Sequence, residues 1–210
     1  MALERKRIRL ERERYRRRRL FFVTFCTAHR DPIFISPQPA EWLVRRLHEL
    51  AVRYSFQLHA WCLMPDHLHV LIAGALDTSD MIFFAARFKQ ITAFEGKRLF
   101  AKTLWQTHSY DHVVRGDEAG ERIAAYIWSN PVRKGLCSDA RDYPHSGSDT
   151  LEWKRTIFSA PDWIPPWKVN VLGRKPSQRR TLVRHRWRGS QRWRSEDRRY
   201  AKAASCRRGA

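Results

Sequence analysis

At 210 residues the chain has room for one domain of about 100 to 150 residues plus tails. Its 43% hydrophobic and 12% aromatic content excludes a wholly disordered protein. The net charge of +20 sits at the ends: residues 1–19 carry +7, residues 171–210 carry +12, and the 151 between them carry +1. A near-neutral core with two basic arms points to a polyanionic partner held by counterion release from phosphates, nucleic acid before membrane.

No apolar run approaches the roughly 18 residues a membrane span needs, and Leu20 to Cys26 is too short and too late for a signal-peptide core. Cys26, Cys62, Cys137 and Cys206 are widely spaced and contain no Cys-x-x-Cys, which argues for reduced thiols in a cytoplasm and against a zinc finger.

Residues 1–19 read as a basic arm, either a solvated charge run or a phosphate grip by Arg16, Arg17, Arg18 and Arg19. Leu20 to Thr27, rich in aromatic and β-branched residues, predicts a buried first strand. Asp31-Pro32 and Ser36-Pro37 punctuate a loop. From Pro39, Trp42, Leu43, Leu47, Leu50 and Ala51 recur at helical spacing to about Tyr54.

Phe56 to Met64 and His67 to Ala73 predict two strands joined at Pro65-Asp66, a connection short enough for an antiparallel hairpin. A second helix is expected over Ser79 to Phe100, capped by Ser79. Its Arg87, Lys89, Lys97 and Arg98 are either a solvated face or phosphate contacts. A fourth strand is expected over Trp105 to Arg115, and a third helix from Asp117 to Arg133 ending near Gly135. This βαββαβ(α) order predicts a ferredoxin-like α+β sandwich, an antiparallel sheet with helices on one face. The domain would occupy residues 20–146, followed by a polar, Pro/Trp-containing segment at 147–170 packing on it. Residues 171–210 would form a basic tail with Trp187 and Trp193, suited to base stacking or partly disordered.

Two stretches carry chemistry. In Met64-Pro65-Asp66-His67-Leu68-His69 the histidines sit two apart on a strand, so both imidazoles leave the same face. Two adjacent imidazoles can hold one divalent cation. Nine histidines would give about 0.4 His-x-His triplets by chance, so an ordinary pair of strand histidines is the competing reading. Later, Tyr126 and Asn130 stand four apart, which on a helix puts phenol and amide on one face; a buried amphipathic tyrosine before Pro131 is the alternative.

Together with LWQTHSYDHVVR at 104–115, the segments MPDHLHVLIAG at 64–74 and YIWSNPVRKGL at 126–136 resemble the single-tyrosine HUH transposases, most closely the REP-associated tyrosine transposases of bacteria. The resemblance covers roughly residues 18 to 146, and Tyr143 to Gly147 resembles the segment that follows the tyrosine helix in that family. It implies His67 and His69 as metal ligands, Tyr126 as nucleophile, and Asn130 in the place of a third polar ligand. It also implies action on short palindromic repeats that fold into hairpins beside a tetranucleotide guide. A cytoplasmic, nucleoid-associated setting follows, and a monomer rather than a helix-swapped dimer.

A phenol with a pKa near 10 is a weak nucleophile, so a divalent Mg²⁺ or Mn²⁺ on the imidazoles would have to activate the phosphate. The expected reaction is nicking and joining of single-stranded or hairpin DNA through a 5′-phosphotyrosine, and the chain carries no Walker-type loop for a nucleotide cofactor. Asp111 and His112, at the end of the fourth strand, would join or orient the site or simply end the strand. His59 is a weaker candidate for the same role. Trp105 reads as core packing, Gln106 as a guide-DNA contact, and Arg133 and Lys134 as further nucleic-acid contacts. Two competing functions remain: a catalytically idle hairpin DNA or RNA binder on this fold, and a His-x-His hydrolase using water, which leaves Tyr126 without a role. The transposase reading requires the Tyr126 oxygen to come within a phosphate's reach of the two imidazoles, on their side of the sheet and not lost in the apolar interior.

Overall fold

The computed structural model describes residues 12–114 and 120–156. The first eleven residues of the expected arm, Arg115 and Asp117 at two expected element ends, most of the 147–170 segment, the basic tail and Cys206 lie outside the described residues.

Strand β1 (Leu20–Cys26) lies inside the sheet. It pairs with β3 (His67–Gly74) on one side and β4 (Tyr110–Val113) on the other. β2 (Phe56–Met64) pairs with β3, and the two-residue β5 (Ser146–Gly147) joins the outer edge of β2. All pairings are antiparallel, in the order β4-β1-β3-β2-β5. This is the expected ferredoxin-like sheet with one added edge, and that edge comes from the Tyr143 to Gly147 stretch. Trp128 Nε1 donates to the Gly147 carbonyl at 3.0 Å, and Tyr143 Oη donates to the Leu63 carbonyl at 2.8 Å, fastening the edge to the body.

Alternation along β1 divides the core in two. Phe21, Val23 and Phe25 join Leu68, Val70 and Ile72 of β3 in a cluster under helices α1 (Pro37–Arg53) and α2 (Met81–Phe100). Phe22 and Leu71 face the other way, with Ala60, Cys62 and Met64, and are covered by α3 (Gly120–Trp128). The helices therefore lie on both faces of the sheet, α1 and α2 on one and α3 on the other, instead of on one face as expected. The physical reason is that β1 and β3 are apolar on both faces, and a doubly apolar sheet must be covered twice.

Three local details differ from the sequence reading. Asp80, not Ser79, caps α2: its Oδ1 accepts from Phe83 N at 3.0 Å, while Ser79 Oγ donates to the Ser55 carbonyl at 2.7 Å. The fourth strand is shorter than Trp105 to Arg115. Trp105 keeps one bridge to Thr27, after which Lys89 Nζ binds the carbonyls of Gln106 and Thr107 at 2.5 and 2.9 Å and takes them out of the ladder.

The third helix breaks at Ser129 into α3 and a short α4 (Asn130–Arg133). Pro131 has no N–H to give the Ile127 carbonyl, and Asn130 Nδ2 substitutes, donating to the carbonyls of Tyr126 at 2.8 Å and Ile127 at 3.2 Å. Gly135, at φ +70°, closes the helix where the sequence placed its end. Cys26, Cys62 and Cys137 are free thiols, and burial pushes Cys62 up to about 12. Among the described residues no helix is long and apolar enough to cross a membrane.

Candidate active site

β3 carries His67 and His69 on the α3 side of the sheet, in line with Leu71. Their Nε2 atoms face each other at 3.0 Å, and the rings stand nearly perpendicular at 82°. Each remaining nitrogen has its own partner. His67 Nδ1 meets Asp66 Oδ1 at 2.5 Å, and His69 Nδ1 meets Thr24 Oγ1 at 2.8 Å. Asp66 is held in turn by Arg30, whose Nη1 donates to Oδ2 at 3.1 Å. Burial alone would push the Asp66 carboxyl up, but the hydrogen bond and charge of His67 and the charge of Arg30 outweigh it and hold the group below the usual aspartate value.

These partners fix the tautomers. When both rings are neutral, the carboxylate on His67 Nδ1 keeps the proton there and leaves His67 Nε2 as an acceptor, so that His69 Nε2–H donates to it and Thr24 donates to His69 Nδ1. The two nitrogens could hold one divalent ion: an octahedral ion with donors at about 2.0–2.1 Å sets adjacent donors about 2.9 Å apart, and 3.0 Å, the length of their own hydrogen bond, separates them here. Outer partners on both Nδ1 atoms are what ligand histidines require. Among the described residues no third His, Cys, Asp or Glu joins them.

Tyr126 lies on the same side of the sheet. Its ring centroid is 6.3 Å from that of His69 and 6.3 Å from that of Phe22, which itself stacks on His69 at 5.5 Å. The expectation for this ring is therefore met in one half only: it shares the imidazole face, but it is part of the second apolar cluster and only 7% exposed. Burial raises its phenol, while the Arg133 guanidinium, 4.8 Å over the ring, pulls in the opposite direction by charge and hydrogen bonding; the net effect is upward. Asn130, one turn on, is buried with its amide nitrogen committed to the helix carbonyls, so its Oδ1 is the atom turned away from them.

Not every residue singled out in the sequence falls here. His112 stands opposite Phe22 in the β1–β4 ladder and so shares the imidazole face, as does Tyr110, whose ring lies 6.3 Å from Phe22. Asp111 stands opposite Val23 and is turned to the other face, where it lines a small cavity with Tyr15, Met81 and Lys89. The expectation that Asp111 supports the site is thus corrected by strand parity. His59 is remote as well, bound by Thr150 Oγ1 at 2.7 Å.

Arg87 and Lys89 are on α2, across the sheet from the imidazoles; Lys89 is occupied by the 106 and 107 carbonyls, and Arg87 by Tyr54 and Gln90. Gln106 continues the bridge by donating its backbone N–H to Cys26 O at 2.9 Å, and Trp105 is core, its Nε1 donating to Thr92 Oγ1 at 2.8 Å. Arg16, Arg17 and Arg18 form surface ion pairs with Asp80, Glu13 and Asp77. With Arg19 they lie at the Gly74 end of β3, the end away from His67. Arg133 is over Tyr126, and Lys134 is exposed just beyond it. Thr24, Asp66 and Arg30 went unremarked as site residues in the sequence. Asp66, adjacent to the first histidine, was the one with a readable signal.

Comparison with known proteins agrees with this fold. The family described as IS200-like transposase matches residues 20–130, over half of the chain. A REP-associated tyrosine transposase of Escherichia coli K12 is 26% identical over 91 residues, 43% of this chain and 53% of that protein, so the chain spans about half the length of that relative. A Haemophilus influenzae protein assigned to the same class is 26% identical over 138 residues, 60% of this chain and 78% of the relative. A REP-associated tyrosine transposase solved bound to a REP hairpin superposes with a TM-score of 0.56 at 23% identity, covering 79% of this chain and 92% of the other, a likeness of fold. With the matched segment running from β1 through the tyrosine to Asn130, the chain belongs to the IS200-like transposase family.

Proposed function

We propose that this chain nicks and rejoins single-stranded, hairpin-forming repeat DNA with Tyr126 as nucleophile. The observation that carries the reading is the meeting of three rings on one face: two imidazoles whose bare or donatable Nε2 atoms converge, and a phenol packed against the second. Relatives named as REP-associated tyrosine transposases, one solved with a REP hairpin, support the substrate class.

His67 and His69 would hold one Mg²⁺ or Mn²⁺, with Asn130 Oδ1 as third protein ligand. When bound, the ion supplies charge neutralisation on the scissile phosphate oxygens. Asp66 and Thr24 keep both imidazoles oriented, and ion binding requires His69 to move its proton from Nε2 to Nδ1, toward Thr24. The Tyr126 oxygen attacks phosphorus, the bond from phosphorus to the 3′ oxygen breaks, and the phenolic proton passes through solvent to that oxygen. The products are a 5′-phosphotyrosyl strand and a 3′-hydroxyl. The adduct keeps the phosphodiester's energy, so a second 3′-hydroxyl can reverse the step on a new end. Because Tyr126 is 7% exposed, DNA entry has to open the contact between α3 and the sheet, and Arg133 is the cation that then faces the phosphate.

The test is a labelled hairpin with a single-stranded flank, incubated with Mg²⁺ or Mn²⁺ and run on a denaturing gel. A covalent adduct is expected, lost in Tyr126→Phe and with chelator. Cleavage that survives Tyr126→Phe would instead indicate water as nucleophile, and binding without cleavage an idle binder. The basic segments 1–19 and 171–210 and the monomeric state belong to the same proposal, as phosphate-binding arms on a single-subunit site.

A further inference from the structure

The cations that the sequence singled out on the second helix do not border the imidazole site. Lys89 is turned to the 106 and 107 carbonyls, but Arg87, Lys97 and Arg98 share the solvent face of α2 with two exposed aromatic rings. Phe83 is 51% and Phe94 67% exposed, and they stand eleven residues apart, about 16 Å along the axis. One exposed apolar side chain is ordinary. Here the interval between the two rings is filled by Arg87 and Gln90, and Lys97 and Arg98 continue the same face.

Tyr54 extends the row at its start, edge-on to Phe83 at 5.7 Å, with Arg87 Nε donating to its hydroxyl at 3.2 Å and Arg53 5.8 Å over its ring. Arg98 lies 5.9 Å over Phe94. Lys97 and Arg98 also suit the helix C-terminus, but that accounts for neither phenylalanine. The neighbouring helix gives an internal contrast. On α1, Arg45 and Arg46 are paired with Glu49, and Arg46 also with Glu95. Among the described residues no carboxylate pairs with Arg53, Arg87, Lys97 or Arg98. A face that leaves its cations unneutralised and its rings uncovered matches a polyanion with aromatic bases.

We propose that the outward face of α2, from Tyr54 and Phe83 to Phe94 and Arg98, is a binding tract for single-stranded nucleic acid on the side of the sheet away from the imidazole pair. The rings offer stacking surfaces to unpaired bases, and Arg53, Arg87 and Arg98 beside them meet phosphates. The length suits about five nucleotides at the 3.4 Å spacing of a stacked strand. Duplex would use the cations alone, since its bases are already stacked; the tract therefore selects the unpaired flank of a hairpin over its stem. The inference rests on the proposed function only for its ligand class.

The experiment uses the full chain and two probes, a blunt hairpin and the same hairpin with a ten-nucleotide oligo(dT) extension, measured by fluorescence anisotropy across a salt series. The wild type is expected to bind the extended probe more tightly than the blunt one. Phe83→Ala and Phe94→Ala are each expected to weaken the extended probe about tenfold and leave the blunt one unchanged. Arg87→Gln with Arg98→Gln is expected to reduce the steepness of the salt dependence on the extended probe alone. Equal affinity of the phenylalanine variants and wild type for the extended probe would overturn the proposal. So would an equal loss on both probes, or concentration-dependent dimerisation that the variants abolish, which would assign the face to a second copy. Adduct formation on the hairpin with no contribution from the extension sinks this tract and leaves the catalytic reading intact. Extension-dependent binding without any adduct does the reverse.

Discussion

Asp66→Asn separates what the carboxylate does for the fold from what it does for the histidine pair. The side chain is 14% exposed and holds two cationic or proton-donating partners, His67 Nδ1 at 2.5 Å and Arg30 Nη1 at 3.1 Å. Asparagine keeps an oxygen for His67 but turns an NH₂ toward the Arg30 guanidinium, replacing one charge-assisted bond by a donor facing a donor. A hydrogen bond to a charged group is worth about 1.5–3 kcal/mol. Arg30 is 35% exposed and can regain water, so the lower half of that range applies, about 2 kcal/mol.

Loss of an orienting carboxylate behind a ligand histidine lowers metal affinity about 10- to 100-fold. Urea unfolding of the metal-free protein at pH 7 should read the first, and Mn²⁺ titration the second. The sign with pH follows from the depressed carboxyl: its contribution is complete above the ordinary aspartate value, near pH 4, and disappears as pH falls through the lower value of the folded state. The two proteins should therefore converge in stability at strongly acidic pH. Unchanged Mn²⁺ affinity alongside the stability loss would refute the orienting role, and a stability gap that persists in strong acid would refute the electrostatic account.

Arg133→Gln removes the charge that opposes burial at Tyr126, so the phenol should titrate still higher and adduct formation should slow; difference ultraviolet titration against Tyr126→Phe reads the former. Thr24→Val keeps the shape of a buried side chain but strips His69 Nδ1 of its partner, costing about 1–3 kcal/mol in urea unfolding and weakening Mn²⁺ binding. Gly147→Ala would place a Cβ 2.5 Å from Trp61 Cζ2, part of a rigid indole, and should destabilise by about 1–3 kcal/mol, visible in tryptophan fluorescence because Trp128 loses its bond to the same edge.

The hairpin of β2 and β3, the first strand and the first two helices were legible because apolar periodicity specifies them directly. What failed depended on partners far away in sequence. The fourth strand was expected from Trp105 onward, yet beyond one bridge at Trp105 only Tyr110 to Val113 form a ladder, because a lysine from α2 holds the carbonyls of Gln106 and Thr107. Asp111 and His112 were inseparable in the sequence; the register against Val23 and Phe22 sends one to each face, and a one-residue slip would exchange them. Thr24 was invisible for the same reason, since nothing local says that its hydroxyl stands beside His69 in the neighbouring strand. Tyr126 and Asn130 were read correctly as sharing a helical face, but the proline between them and Gly135 breaks that helix and turns the Asn130 amide into a backbone donor.

The two-faced core explains why the histidines are held so closely. β3 lies between β1 and β2, hydrogen-bonded along both edges, and its Leu68, Val70 and Ile72 are buried at 1% exposure or less under α1 and α2. The alternate residues then have no freedom to rotate as a strand, so the spacing of His67 and His69 is set by the pleat and their ring planes by Asp66 and Thr24. Tyr126 sits on a different footing. It reaches the site from a helix that covers the second face through a smaller cluster, ends at a proline break, and is tied to the sheet through Trp128 and Gly147. The imidazoles are thus built into a strand held along both edges and the phenol into a more separable layer. That division suits the proposed reaction, in which a phosphate is gripped before Tyr126 is brought to it.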